Sequence, residues 1–400
     1  MPPQGQSGSG VSHILQSYCI EVEFLVAVEN QGGVYEVFDE ETGGPRTARW
    51  SCPDPRNPYP VIFRKIQSVL ESHGQSVVEY PLRLSVAGLS WEEDEVGGWV
   101  MSPAAFARAQ VGCPSGYTWI GVNLRSPVLR EEPAGSGLPK MPPSLDVLRR
   151  AVRMHVNSTC NFNVLLYSSD GPYALEYLKK LASFVWILEP DLLNQLHPAM
   201  PLPTRSLTNH AMLRRPHASQ DPQSLEVRRA SQAHYVELRD LQAQTAIDRI
   251  WSYEDRIALA EGLRDRNARP LSFSIHNLTP VGLGRGRAEI GSYQNVIRFR
   301  YALWHPYQNL DASEYWIELV LTLAFRASGP VNEYRYILWL LDKILCDAFT
   351  DNLNWTVRCH KLLSQLGWEN ELIEQWANII HAYRLRGPLS AAELDRHPAL

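Results

Sequence analysis

Apolar and polar residues alternate over Tyr18-Cys19-Ile20-Glu21-Val22-Glu23-Phe24-Leu25-Val26, with Ile20, Val22 and Phe24 on one side and Glu21 and Glu23 on the other. That period of two predicts a β-strand. Val61, Ile62, Ile66, Val69 and Leu70 then recur at helical spacing and predict a helix over 60–72. A strand is expected over 77–84 and irregular chain over 90–117. Buried strands are expected at 117–129 and 160–167, with a helix between them that Ser144 caps and that runs to about residue 155. Leu175, Leu178, Leu181 and Val185 form one stripe of a helix over 173–188, which Pro190 stops. Two more strands are expected at 271–278 and 293–301, joined through Gly282-x-Gly284-x-Gly286. Asp311-x-x-Glu314 resembles a capping box and opens a helix holding Trp316, Leu319 and Leu323. Helices follow near 331–348, 354–366 and 369–384, with Gly367 and Gly387 where helix-ending glycines sit. Strands and helices do not alternate strictly. The pattern therefore favours an α+β fold, a mostly antiparallel sheet with helices on one face, over a doubly wound parallel sheet.

The length of 400 residues suits one large domain with appendages, or two domains. Residues 1–12, rich in Gly, Pro, Ser and Gln, are expected to be flexible, with an α+β domain over 13–326 and a C-terminal helical extension over 327–400. Within the domain, 198–232 reads as a long surface loop rich in Pro, Ser and Arg. Lys plus Arg number 38 against 43 Asp plus Glu, a net charge of −5 that argues against a nucleic-acid partner. No apolar run reaches the roughly 18–20 residues of a membrane helix, and the first residues lack the charged and apolar regions of a secretory signal, so no membrane partner is expected. Six cysteines without a CxxC pair suggest buried thiols in a reduced, cytoplasmic protein.

The sharpest chemical signal is Glu21-Val22-Glu23. Period two places both carboxylates on one side of a strand, roughly 6–7 Å apart along it, where they could converge on a divalent cation such as Mg²⁺. A solvated strand face with two ordinary acids is the simpler reading of that pattern alone. Other features favour structural roles. The Gly282–Gly286 run lacks the Lys-Ser/Thr of a phosphate loop and reads as a hairpin connection. Arg214, Arg215, Arg228 and Arg229 read as a solvated loop, and His305 as a structural histidine. Cys160 lies on a core strand with nothing to depress its pKa. Trp339, Trp355, Trp368 and Trp376 read as core or as a face for an oligomer.

Six ordered landmarks over roughly 17–326 resemble the fungal amidoligase family, of the glutamine synthetase and glutamate–cysteine ligase group of carboxylate–amine ligases. Tyr18–Phe24 fits the family's opening GVEIEF strand. Trp119-Ile120-Gly121-Val122-Asn123-Leu124-Arg125-Ser126-Pro127 follows W-x-GVE-x-x-SP, and Cys160-Asn161-Phe162-Asn163-Val164-Leu165 follows CGLHVHV. Trp186–Pro190, then Leu196–Pro198, Arg205 and Asn209, come in family order. Ser274–Leu278 and Ile297-Arg298-Phe299-Arg300, at the family's IEFR, complete the set.

The resemblance implies a glutamine-synthetase-like sheet and ATP-dependent amide formation, in which glutamates hold Mg²⁺, the γ-phosphate passes to a small carboxylic acid, and an amine displaces it. On that reading Glu21 and Glu23 are metal ligands, Arg298 and Arg300 act in catalysis, and Arg300, Asn163 and Asn123 bind the nucleotide. The motif carboxylate, however, is Asn123 here, the two histidines are Asn163 and Leu165, and the IEFR glutamate is Arg298. Two carboxylates and two amides hold one Mg²⁺ weakly at best, and Arg298 is expected beside Glu21 or Glu23 in place of a metal. The expected member is therefore degenerate, with weakened or lost ligation. An active ATP- and Mg-dependent ligase, in fungal specialised metabolism, is the alternative.

Overall fold

The computed structural model describes residues 17–30, 49–79, 97–110, 113, 116–130, 138–157, 159–168, 172–196, 206–211, 213, 235–277, 295–302, 312–351 and 353–385. Residues 1–12, the Gly282–Gly286 connection, the Arg214–Arg229 patch, His305, Asp311 and Gly387 lie outside that set.

The fold is α+β. Its sheet is built on β1 (Ser17–Glu29), with β2 (Val77–Glu79), β3 (Trp99–Arg108), β4 (Tyr117–Arg125), β5 (Leu129–Arg130), β6 (Met154–His155), β7 (Phe162–Tyr167), β8 (Phe273–Asn277) and β9 (Asn295–Ala302). The order across it is β2-β3-β4-β1-β7-β9-β8, and β5 and β6 also pair with β1. Every pairing is antiparallel except that of β2 with β3. The helices are α1 (Pro58–Glu71), α2 (Pro143–Ala151), α3 (Leu175–Leu188), α4 (Leu207–His210), α5 (Leu241–Ser252), α6 (Arg256–Gly262), α7 (Ser313–Ser328), α8 (Val331–Thr350), α9 (Trp355–Leu366) and α10 (Asn370–Leu385).

The alternation in β1 decides the layering. Ile20, Val22, Phe24, Val26 and Val28 join one hydrophobic cluster with Ile62 of α1, Leu148 of α2, Leu181 of α3, Ile247 of α5, Leu259 of α6, Trp316 of α7, Tyr334 of α8, Leu362 of α9 and Trp376 of α10. The other face of β1 carries Cys19, Glu21, Glu23, Leu25 and Ala27, and its smaller apolar clusters draw on strands and connecting chain alone, among the described residues. Trp355, Trp368 and Trp376 belong to the core, whereas Trp339 is 37% exposed.

The structure departs from the pattern-based expectation at particular places. Residues 99–108, expected as irregular chain, form β3 with Pro103 inside it. The register with β4 shifts between Pro103 and Arg108, and a bulge is where a strand accommodates a residue without an N–H. Helix α2 starts at Pro143 without a side-chain cap, so Ser144 is inside its first turn. It stops at Ala151, short of residue 155, because Trp50 N–H bonds to Ala151 O and Met154–His155 pairs with β1. Strand β4 ends at Arg125, where Ser126 turns back on β1: its N–H donates to Ile20 O (2.8 Å) and its Oγ accepts from Ile20 N (3.0 Å). Glu314 makes no cap for α7; its Oε1 accepts from Met141 N at 3.0 Å. The 198–232 segment carries α4 within it. Helices α5 and α6, which the hydrophobic pattern does not predict, have first turns capped by Asp240 and Asp255. Gly367 does end α9, at φ 94°.

Candidate functional site

The sheet face opposite the helices is polar at its centre. In the β1–β4 pairing Glu21 faces Arg125 and Glu23 faces Asn123, while on the other side Glu21 faces Asn163 of β7. Residues directly across a ladder point to the same face. Arg298 lies on β9, beyond β7 and paired there with Leu165. Its long side chain reaches across β7, bringing Nη2 to 3.1 Å from Glu21 Oε2. Arg300, two residues on and so on the same face, places its Nη2 3.3 Å from Glu23 Oε2.

The structure thus brings together all six residues singled out in the sequence: Glu21, Glu23, Asn123, Asn163, Arg298 and Arg300. Asn123 Nδ2 donates to Glu21 Oε1 (2.8 Å) and Asn163 Nδ2 to Glu21 Oε2 (2.7 Å). Two further members were quoted in the motifs without a role. Asn161 Nδ2 donates to Glu23 Oε2, and Arg125 adds its charge beside Glu21. The signal for both was period two, since Asn161 precedes Asn163 and Arg125 follows Asn123 by two residues.

The electrostatics of the two acids differ. Burial pushes the Glu21 carboxyl up, but Arg298, the two asparagine amides and Arg125 overcome it and hold its pKa at about 2. At Glu23 burial prevails over Arg300, so its pKa is raised. Two carboxylates face three guanidiniums, so the cluster carries one net positive charge when both acids are ionised. Glu21 uses both oxygens on amide and guanidinium donors. Asn123 Oδ1, Asn163 Oδ1 and Arg298 Nε are buried with no hydrogen-bond partner among the described residues. Among the described residues there is no group of three or more His, Cys, Asp or Glu that could hold a metal ion.

At the sheet edge, Ser274 of β8 lies opposite Arg298, and His276 follows at period two. Cys160, on the same side of the sheet, is buried, and burial raises its thiol pKa to about 12. That is the opposite of what a nucleophile needs.

Comparisons of the chain with models of protein families, with curated proteins and with solved structures find no match. Among the described residues no helix is long and apolar enough to cross a membrane.

Proposed function

We propose that this polar face is a metal-independent receptor for a small carboxylic acid, in an amidoligase-like protein whose ATP- and Mg²⁺-dependent ligation is weakened or lost. The sheet is, on this reading, of the glutamine-synthetase-like type. The observation that carries it is the guanidinium of Arg298 on the carboxylate of Glu21, with Arg300 on Glu23. Mg²⁺ takes anionic or neutral oxygens in a near-octahedral shell. Here the acid oxygens already accept from amides and arginines, and a dication would enter a cluster that is net positive. The residues do not fit a resident Mg²⁺.

They do suit an anion. The Arg298 side chain is 28% exposed, and its guanidinium offers a ligand carboxylate a charged donor at the edge of a net positive cluster. The six free cysteines accord with a reducing, cytoplasmic setting.

Thermal melting of the full chain tests this. Millimolar hydroxy- and amino-carboxylic acids should raise the melting temperature, and Arg298→Gln should remove the shift. ATP with Mg²⁺ or Mn²⁺ should give none. A nucleotide shift that needs the metal, and that disappears when Glu21→Gln and Glu23→Gln are combined, would instead establish the active ligase.

A further inference from the structure

On the helical side of the sheet, α3, α4 and α5 enclose a groove of about 520 Å³. Small-molecule sites occupy roughly 300–1,000 Å³. Trp186 of α3 and Ala211, just past α4, pack on the main core and also line the groove. Buried Leu213 and exposed Leu241 add apolar surface to it. Helical spacing sets Leu241, Thr245 and Arg249 on one stripe of α5, facing this space. Arg249 is the charged side chain among the described lining residues. It is half-buried, and its Nη1 donates to Leu213 O at a long 3.4 Å. It makes no ion pair among the described residues. The nearby acids are engaged elsewhere. Glu189 is fully buried and accepts from Ser206, Leu207, Thr208 and Tyr301, and Asp248 accepts from Gln244 Nε2 at 2.9 Å.

We propose that this groove binds an aromatic carboxylic acid, with its ring against Trp186 and its carboxylate on Arg249. A guanidinium fork matches both oxygens of one planar carboxylate. A phosphate ester would call for more cationic donors, and no second cation lines the groove among the described residues. A half-buried guanidinium has lost part of its water, so an anion gains more there than on an open surface. A flat ring buries apolar area against the indole, Ala211 and Leu213 while freezing few rotors. The α4 wall is held in place beforehand, since Thr208 N–H donates to Glu189 Oε2 at 2.6 Å. The groove is separate from the sheet-face receptor. Glu21 and Arg298 belong to the other face of β1, and a ligand here needs neither.

The test uses the full-length protein. Calorimetric titration with 2-naphthoate should show saturable binding, and neutral 2-naphthamide should bind at least about tenfold more weakly. Arg249→Gln should weaken 2-naphthoate by at least about tenfold and leave the amide unchanged. Trp186→Leu should weaken both ligands. Arg298→Gln should alter neither, which separates this groove from the sheet-face receptor. A second measurement needs no variant. The aromatic carboxylate 4-benzoylbenzoate crosslinks on irradiation, and mass spectrometry after digestion should place it at Trp186, Ala211, Leu213 or along Leu241–Arg249. Excess 2-naphthoate should suppress that label. Absence of saturable 2-naphthoate binding overturns the inference, as does equal affinity in wild type and Arg249→Gln. A suppressible label on β1 or β9 instead also overturns it, so the wild-type label decides the matter even if Arg249→Gln does not fold.

Discussion

Glu21 and Glu23 are the same residue type two positions apart, yet the sheet gives them opposite titrations. Glu21 meets two amides and Arg298, whereas Glu23 meets Asn161 and a more distant Arg300. The Glu21 pKa falls from 4.5 to about 2 on folding. Its ionised form therefore contributes stability that is fully present above pH 4.5 and is lost as pH falls towards 2, about 3 kcal/mol in all. Glu23 works the other way: its raised pKa means that ionisation weakens the fold, and acidification relieves this. Urea unfolding at several pH values should show Glu21→Gln flattening the acid limb between pH 4.5 and 2, while Glu23→Gln leaves that limb in place. His276 titrates in a higher window. Its pKa falls from 6.5 to about 3, so acidification from 6.5 downward costs stability that His276→Gln should not lose. Removing one partner of a buried pair leaves the other charge uncompensated, so Arg298→Met should destabilise by roughly 3–5 kcal/mol at pH 7. Glu21→Gln combined with Arg298→Met should recover part of that loss.

At the scale of elements, two junctions hold the sheet to its surroundings. Glu189, just past α3 and fully buried, accepts from Ser206 Oγ (2.7 Å), Leu207 N (2.6 Å), Thr208 N (2.6 Å) and Tyr301 Oη (2.6 Å). One carboxylate so ties α3, the start of α4 and β9 together. Glu189→Gln replaces an acceptor oxygen with a donor NH₂ against these N–H and O–H groups and should cost about 2–4 kcal/mol in urea denaturation. Tyr301→Phe, which removes one donor, should cost about 1 kcal/mol. The second junction is the bulged β3–β4 pairing. A Cβ at Gly121 would lie 2.3 Å from Ala107 O and 2.5 Å from Ala104 O. Gly121→Ala must therefore push the two strands apart, with a loss of at least about 1–3 kcal/mol. A Gly121→Ala protein of wild-type stability would show that β3 does not pack here as described. Strand β3 was not legible in the chain because Ala-rich sequence with a proline carries little strand propensity. Its pairing with β4 supplies what propensity does not.

For the molecule as a whole, one cluster of buried side chains runs from the inner face of β1 through α3 and α7 to α9 and α10. Arg326 near the end of α7 donates from Nε to Leu366 O at 2.9 Å, and Trp368 Nε1 donates to Thr322 Oγ1 at 3.0 Å. These contacts predict that the helices after Ser328 unfold together with the sheet. Far-UV and near-UV circular dichroism should give one coincident thermal transition. Truncation after Ser328 should yield a protein without cooperative melting, because Tyr315, Thr322 and Arg326 would lose Trp376, Trp368 and Leu366. Two separated transitions would show instead that the helical extension folds as its own unit.

Some of this was legible in the chain itself. Period two in β1 set Glu21 and Glu23 on one face, and the same rule put Arg298 and Arg300 together on β9. Helical stripes marked α1, α3 and α7–α10. These features are local, and steric periodicity writes them directly into residue spacing. Only the tertiary structure decided the rest. The register across β4, β1, β7 and β9 paired Arg298 with Glu21 and Arg300 with Glu23. It made Asn161 and Arg125 part of the same cluster and placed Ser274 opposite Arg298. It also gave two neighbouring acids opposite pKa shifts. A pKa depends on burial and on charges far away in sequence, and a one-residue slip in register would turn every one of these side chains to the other face.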